Sequence, residues 1–175
     1  MSRTAVIVID MINAYDFADA EKVVPSAKEA LPAMRRLIEE APRNDMPVIY
    51  VNDNFGHWRS QRDELVEQAL DGEHPDLVEP IRPSDDALFV VKARHSIFYQ
   101  TPLEYLLNQE DVGNLILTGQ VTEQCILYSA LDSYIRHFDV RVPPDAVAHI
   151  HEDLAGAALT MMERNMSADL SPVRG

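Results

Sequence analysis

The sequence predicts an α/β fold, a three-layer α/β/α sandwich around a mainly parallel sheet. Five short runs rich in β-branched residues recur along the chain, at 4–10, 47–52, 87–92, 114–119 and 139–143. Short runs of this composition are typical of strands that are buried on both faces. Amphipathic segments separate the runs, and strands that alternate with helices favour right-handed crossovers and a parallel sheet.

The first half of the chain carries one clear helix signal. Ser26 and Glu29 match a capping box ahead of an apolar pattern that continues to Ile38, which predicts a helix between the first two strands. The stretch 54–85 is interpreted as a loop, one helix and a second loop.

The second half carries three more helix signals. Thr101, Pro102 and Glu104 predict the first turn of a short helix that ends near residue 109. An apolar stripe predicts a helix over about 123–137 with Thr122 as its cap, and a similar pattern predicts a last helix over about 152–165. The polar tail after residue 166 is expected to dock on a partner or to fray.

Length and composition restrict the class of protein. The 175 residues predict a single domain over 1–175, and the 46% of hydrophobic residues suffice for a core. A net charge of −14 disfavours phosphate backbones and anionic lipid surfaces, so we expect neither a nucleic-acid nor a membrane partner. No apolar run reaches the ~18 residues of a membrane span, and Asp10 comes too early for a signal sequence, which predicts a cytoplasmic protein.

Three chemically reactive side chains fall at predicted strand ends. Asp10 ends the first run, Lys92 ends the third, and Cys125, the single cysteine, comes six residues after the fourth. Because the carboxyl ends of parallel strands meet at one edge of the sheet, these groups are expected to converge. Each alternative stays open here: Asp10 and Lys92 could form a structural salt bridge, and a lone cysteine in an apolar helix is more often part of the core.

Cys125 is predicted to lie in the first turn of a helix. There a free backbone N–H and the positive end of the helix dipole favour a thiolate, whereas the neighbouring Glu123 opposes it. The expectation is a thiol whose pKa is lowered.

Three segments carry a family resemblance: VIDMIN at 8–13, VVKARHSIFYQTPLEYLL at 90–107, and LTGQVTEQCILYSALDSYIRHFDVRVPPDAV at 117–147. In these segments the chain resembles the isochorismatase-like cysteine hydrolases, which include nicotinamidases, carbamoyl-amide hydrolases and isochorismatases. The resemblance extends from Ala5 to about Glu163. The order and spacing of the three segments make it specific.

The resemblance implies a role for each matching residue. Asp10 would be the general base, Lys92 the cation between acid and thiol, and Cys125 the nucleophile. A cis peptide bond between Gln120 and Val121 would direct the backbone N–H groups of Val121 and Cys125 into an oxyanion hole. The implied reaction is hydrolysis of a carbon–nitrogen bond of a small amide or ureido compound through a thioester, without a cofactor.

The chain departs from the metal-dependent nicotinamidases in one respect. Those relatives carry an aspartate and a histidine two positions later, whereas Asp53 here is followed by Asn54 and Phe55. We therefore predict no catalytic metal and do not expect nicotinamide as the substrate, although His57 and His74 are kept as possible ligands. Isochorismatases that cleave a vinyl ether replace the cysteine, so the presence of Cys125 favours carbon–nitrogen hydrolysis. Ala93 stands where many relatives have proline.

Polar and aromatic residues of the surrounding loops are the candidates for substrate contact, and they suit a small planar polar ligand. They are Asn13, Tyr15, Phe17, Asn52, Asn54, Trp58, His95, Phe98 and Tyr99. An alternative for Phe17, Phe98 and Tyr99 is packing of loops or of a subunit interface.

Several functional alternatives remain at this stage. The chain could be a catalytically silent family member that acts as a binding or regulatory subunit. It could also be a redox protein that cycles through a sulfenic acid, which the missing second cysteine disfavours. Within the hydrolase hypothesis, a dyad of Cys125 and His95 is conceivable. The resemblance also implies a homo-oligomer, a dimer or a tetramer.

Overall fold

The computed structural model describes residues 2–58 and 61–173. Across these residues one parallel sheet has the strand order β3-β2-β1-β4-β5, and β6 pairs with β4 beyond the end of β5. Its strands are β1 (Arg3–Ile9), β2 (Val48–Asp53), β3 (Leu88–Lys92), β4 (Val112–Gln120), β5 (Asp139–Arg141) and β6 (Val147–Ala148). The predicted parallel sheet is confirmed, and each predicted strand lies within a few residues of its observed position.

Helices cover both faces of the sheet. One face carries α1 (Ala20–Glu40), α2 (Arg62–Leu70) and α3 (Pro75–Val78), and the other carries α4 (Leu103–Gln109), α5 (Leu127–Ile135) and α6 (Glu152–Met166). Alternate residues of β1 supply the two cores: Val6 and Val8 pack on the first set, and Ala5, Ile7 and Ile9 on the second. The three-layer sandwich is confirmed, and no helix among the described residues combines the length and apolar character of a membrane span.

The predicted start of α1 is wrong. The helix begins at Ala20, so Ser26 lies inside it and is buried. The Ser26 hydroxyl accepts the backbone N–H of His149 at 3.0 Å and also lies 3.0 Å from the His149 ring Nδ1. A tertiary partner therefore uses the hydroxyl that the sequence pattern assigned to a cap.

The helix that follows β4 also begins differently from the prediction. Residues Thr122–Ile126 form a π-helical turn ahead of α5. The Thr122 hydroxyl donates to the carbonyl oxygen of Ala148 at 2.9 Å and makes no cap, so the predicted capping role is wrong. The hydroxyl instead joins the turn to β6.

Two connecting segments carry more structure than the sequence indicated. The described residues of the stretch 54–85 form two helices, α2 and α3, instead of one. The described part of the tail is ordered against the rest of the chain. The Asp169 N–H donates to the Val140 carbonyl oxygen at 2.9 Å, and Ala168 and Val173 are buried. The tail therefore packs on the edge strand β5 of its own sheet.

Candidate active site

The carboxyl ends of β1 and β4 approach each other closely. Asp10 directly follows β1 with a φ of 56°, and Gly119 near the end of β4 has a φ of 116°. A Cβ atom at Gly119 would lie 2.1 Å from the carbonyl oxygen of Ile9. Only glycine fits this contact, which places the turn that bears Cys125 beside Asp10.

The three predicted catalytic side chains meet at this edge of the sheet. Lys92 Nζ lies 2.8 Å from Asp10 Oδ2 and 3.7 Å from Cys125 Sγ. The Asp10 carboxylate is also near enough for its negative charge to raise the pKa of the Cys125 thiol. All three residues are buried, so the cluster is a compact, desolvated set of carboxylate, ammonium and thiol.

Two further residues orient Asp10. The Asp53 backbone N–H donates to Asp10 Oδ1 at 2.8 Å, and the Gln120 side-chain amide donates to the Asp10 carbonyl oxygen at 2.9 Å. Asp53 Oδ2 also lies 3.5 Å from Lys92 Nζ. The sequence predicted no role for Asp53 beside the triad, although its position directly after the second β-branched run was an available signal.

The electrostatics of the cluster favour a neutral thiol at rest. Burial and the negative charge of Asp10 raise the pKa of Cys125, and the Lys92 ammonium offsets this only in part. The expected lowering of the thiol pKa is therefore wrong, because burial and the charge of Asp10 act in the opposite direction. Burial likewise raises the pKa of Asp10 against the opposing effect of Lys92. Burial alone would lower the pKa of Lys92, but the surrounding negative groups, Asp10 first among them, raise it, so its side chain stays charged.

The peptide bond between Gln120 and Val121 is cis. The Val121 carbonyl oxygen accepts the N–H groups of Gln124 and Ile126 at 3.1 and 3.2 Å, which ties the residue to the π-helical turn that contains Cys125. The oxyanion hole implied for the N–H groups of Val121 and Cys125 stays a prediction.

Glu123 fixes this turn to the loop between β6 and α6. Its Oε1 accepts the backbone N–H groups of Ile150 and His151 at 2.9 and 2.8 Å, and the residue is buried. The sequence indicates only the charge of Glu123 near Cys125. This structural role depends on a contact 27 residues away in sequence, which the local pattern does not contain.

His95 also contacts the sulfur. Its ring Nδ1 lies 3.6 Å from Cys125 Sγ, and the ring packs edge-on against Tyr128 at 5.4 Å. His95 is exposed, in contrast to Asp10. The structure thus brings both candidate bases to the thiol.

A cavity of about 500 Å³ opens beside Lys92. It contains three of the predicted substrate contacts, Asn54, Trp58 and Tyr99. The other lining residues are His57, Val91, Lys92, Ala93, Arg94 and Gln100. A larger recess of about 650 Å³ lies at the opposite end of the strands, away from the thiol, and contains none of the predicted site residues.

Two predicted substrate-contact asparagines instead hold the backbone. Asn13 Oδ1 accepts the N–H of Tyr15 at 2.7 Å. Asn52 Oδ1 accepts the N–H of Ile12 at 3.0 Å, and Asn52 Nδ2 donates to the Ile12 carbonyl oxygen at 2.9 Å. Both asparagines are buried, and their amides fix the loop that follows Asp10.

The aromatic residues that were predicted to contact the substrate have different surroundings in the structure. Phe98 is buried, stacks on Phe138 at 5.8 Å and lies under the Arg136 guanidinium at 4.7 Å, so its role is packing instead of substrate contact. Tyr15 is buried and its hydroxyl donates to the Gln120 side chain at 3.4 Å. Phe17 is partly exposed beside the Tyr15 ring, at 6.4 Å, and is not among the residues that line the cavity.

The two histidines kept as possible metal ligands have different surroundings. His57 lines the cavity, and its N–H donates to Asn54 O at 2.8 Å. The His74 ring packs edge-on against the Tyr15 ring, and its Nδ1 lies 3.7 Å from Asp76 Oδ1. Within 2–58 and 61–173, no group of three or more His, Cys, Asp or Glu side chains is arranged to hold a metal ion.

The structure defines an α/β/α sandwich protein with a buried Asp–Lys–Cys cluster at the carboxyl ends of its parallel strands. Comparison with known proteins assigns its family. The family model described as the isochorismatase domain matches residues 4–172, and the chain belongs to this family. It is 32% identical over 167 residues to the uncharacterized isochorismatase family protein YaaI of Bacillus subtilis, covering 95% of this chain and 92% of that protein. It is 26% identical over 182 residues to the ureidoacrylate amidohydrolase RutB of Agrobacterium fabrum, covering 87% and 78%.

A solved structure agrees with the fold. The N-carbamoylsarcosine amidase from Thermoplasma acidophilum superposes with a TM-score of 0.76 at 24% identity, covering 99% of this chain and 98% of that chain.

Proposed function

We propose that the protein is a cysteine hydrolase that cleaves a carbon–nitrogen bond, amide or ureido, of a small molecule through a thioester intermediate. The observation that carries this proposal is the meeting of Lys92 Nζ with both Asp10 Oδ2, at 2.8 Å, and Cys125 Sγ, at 3.7 Å. The name of the amidohydrolase relative, which acts on ureidoacrylate, supports the class of bond.

The first half of the proposed reaction forms the thioester. Because the resting thiol is protonated, Asp10 takes its proton as Sγ attacks the carbonyl carbon. Lys92 stabilises the developing thiolate, and the backbone N–H groups of Val121 and Cys125 would bind the oxyanion. Asp10 then returns the proton to the leaving nitrogen, and the carbon–nitrogen bond breaks.

The second half restores the enzyme. Asp10, again a carboxylate, removes a proton from water, and the resulting hydroxide attacks the thioester carbonyl. The carbon–sulfur bond breaks, Cys125 leaves as a thiolate, and it regains its proton from Asp10. An amide passes through a thioester and yields a carboxylic acid and an amine. A terminal ureido group loses ammonia to form the corresponding thiocarbamate on Cys125, and water then releases a carbamate.

Replacement of the sulfur tests this function. Ammonia release is measured over a panel of primary amides and ureido compounds for the wild type, Cys125→Ser and Cys125→Ala. The proposal expects release by the wild type and none by either variant, with circular dichroism showing that both variants fold. Release that survives in Cys125→Ala overturns the proposal. A wild type that is silent across the panel, with Cys125 forming no acyl adduct, favours the catalytically silent alternative.

The contact between His95 and the sulfur makes the identity of the base a separate question. Asp10 is buried and ion-paired, whereas His95 is exposed, so we propose Asp10 as the base. Asp10→Asn is expected to reduce kcat by about 10²–10⁴-fold, the range of general acid–base catalysis. His95→Gln is expected to retain most of the wild-type kcat. The opposite ranking would assign the base to His95.

We also propose that the chain forms a homo-oligomer. The exposed side of α5 presents four large apolar side chains to solvent, and contiguous patches of this kind are typical of subunit interfaces. They are Tyr128, Leu131, Tyr134 and Ile135. Light scattering is expected to give the mass of a dimer or tetramer for the wild type and a smaller mass for Leu131→Lys; a monomeric wild type contradicts this proposal.

A further inference from the structure

Arg94 lies between two residues that contact the nucleophile. Lys92 Nζ and His95 Nδ1 lie 3.7 and 3.6 Å from Cys125 Sγ, and Arg94 separates them in sequence. Arg94 also lines the cavity beside Lys92. Cys125 and His95 are not among the lining residues, and Lys92 connects the cavity to the sulfur. A ligand that extends from the sulfur past Lys92 into this cavity would therefore meet the Arg94 side chain.

The charge of Arg94 is available to a ligand, whereas that of Lys92 is not. Asp10 and Asp53 lie 2.8 and 3.5 Å from Lys92 Nζ and compensate it. Arg94 is exposed and, within the described part of the chain, forms no ion pair or hydrogen bond. Among the residues that the structure describes, those that line the cavity include no acid. In a chain with a net charge of −14, this cavity is thus a local site of positive charge.

We infer that Arg94 binds a carboxylate on the substrate, so that the substrates are small amide or ureido acids. This inference rests on the proposed function, because it concerns the molecule that Cys125 attacks. The planar guanidinium matches a carboxylate with two parallel hydrogen bonds, which fixes the direction of the ligand as well as its charge. The exposed rings of Trp58 and Tyr99 border the same cavity and offer apolar contact to the part of the ligand between its carboxylate and its scissile bond.

The alkylation of Cys125 by a matched pair of reagents tests the inference without any turnover. Iodoacetate and iodoacetamide both form a carbon–sulfur bond to Sγ and release iodide, and they differ in carrying a carboxylate or a neutral amide. The ratio of their second-order rates is measured on each variant at one pH. The fraction of thiolate cancels from this ratio, and Cys125 is the single cysteine.

The ratio of the iodoacetate rate to the iodoacetamide rate is expected to fall about two- to fivefold in Arg94→Gln, as for an exposed charge pair. It is expected to fall less in Arg94→Lys, which keeps the charge and loses the planar pair of donors. The control Arg164→Gln, in the last turn of α6, removes the same charge from another part of the surface and is expected to leave the ratio unchanged.

Two results would overturn the inference: an unchanged ratio in Arg94→Gln, or an equal fall in Arg164→Gln. The failure of the proposed function would be seen separately. If the wild type hydrolyses no amide but the ratio still depends on Arg94, the cavity recognises carboxylates and the hydrolase assignment fails. If amides are hydrolysed and the ratio of the two alkylation rates does not change in Arg94→Gln, only the inference about the substrate class fails.

Discussion

The substitution Lys92→Met probes the pair at the centre of the site. The Lys92 side chain is 0% exposed and that of Asp10 is 9% exposed, with 2.8 Å between Nζ and Oδ2. Methionine keeps the length and apolar stem of lysine but leaves the Asp10 carboxylate buried without its cation. Removal of one partner of a buried pair costs about 3–5 kcal/mol, so the free energy of unfolding at pH 8 is expected to fall by that amount.

The pH dependence of this loss identifies its cause. Without Lys92, the folded-state pKa of Asp10 rises further above its unfolded value, so the folded state of the variant binds a proton more readily than the unfolded chain does. The stability deficit is therefore expected to shrink as the pH falls and Asp10 becomes protonated. Urea unfolding of both proteins at pH 8 and pH 5 measures the deficit.

An exposed ion pair supplies the control. Arg35 and Glu39 lie 2.6 Å apart on α1, with side chains 57% and 53% exposed, and Arg35→Met is expected to cost less than about 1 kcal/mol. A loss below about 1 kcal/mol in Lys92→Met, or a deficit that does not change between pH 8 and pH 5, would refute the reasoning.

Three further predictions follow from the site and its supports. The rate of Cys125 alkylation by iodoacetamide should rise with a midpoint above pH 9, because burial and Asp10 raise the pKa of the thiol; a midpoint near or below pH 7 would contradict this. Gly119→Ala should abolish folding or cost more than about 3 kcal/mol, since its Cβ would lie 2.1 Å from Ile9 O; a melting temperature like that of the wild type would be inconsistent with the contact. Glu123→Ala should cost about 3 kcal/mol in urea unfolding by removing the acceptor of two backbone N–H groups, whereas Glu123→Gln, which keeps an acceptor oxygen, should lose less; equal losses would argue against the contact.

The sheet could be predicted from sequence because parallel strands bury both faces. Runs such as residues 5–9 are apolar throughout, so their signal does not depend on which side chains they meet. The convergence of Asp10 and Lys92 followed from the same rule, since each ends a strand at the same edge of the sheet. Cys125 was placed beside them by its short distance along the chain from β4.

The remaining features depend on contacts between distant segments. Ser26 matched a capping box, yet His149, 123 residues away, uses its hydroxyl, and α1 begins six residues earlier. The state of the thiol was predicted wrongly because a helix terminus is visible in sequence, whereas the burial of Cys125 and the nearness of Asp10 are not. Phe98 and Asn52 carry the residue types of a binding site, but their partners in the fold give them packing and loop-fixing roles.

Mass spectrometry of the sulfur during turnover tests the central claim most directly. Wild-type protein is mixed with an amide that it hydrolyses, quenched in acid and digested, and the peptide that contains Cys125 is weighed. The proposed reaction predicts that this peptide gains the mass of the acyl group, that the adduct disappears once the amide is exhausted, and that Cys125→Ser releases no amine. Amine release with an unmodified Cys125 at every quench time, continuing in Cys125→Ser, would contradict it.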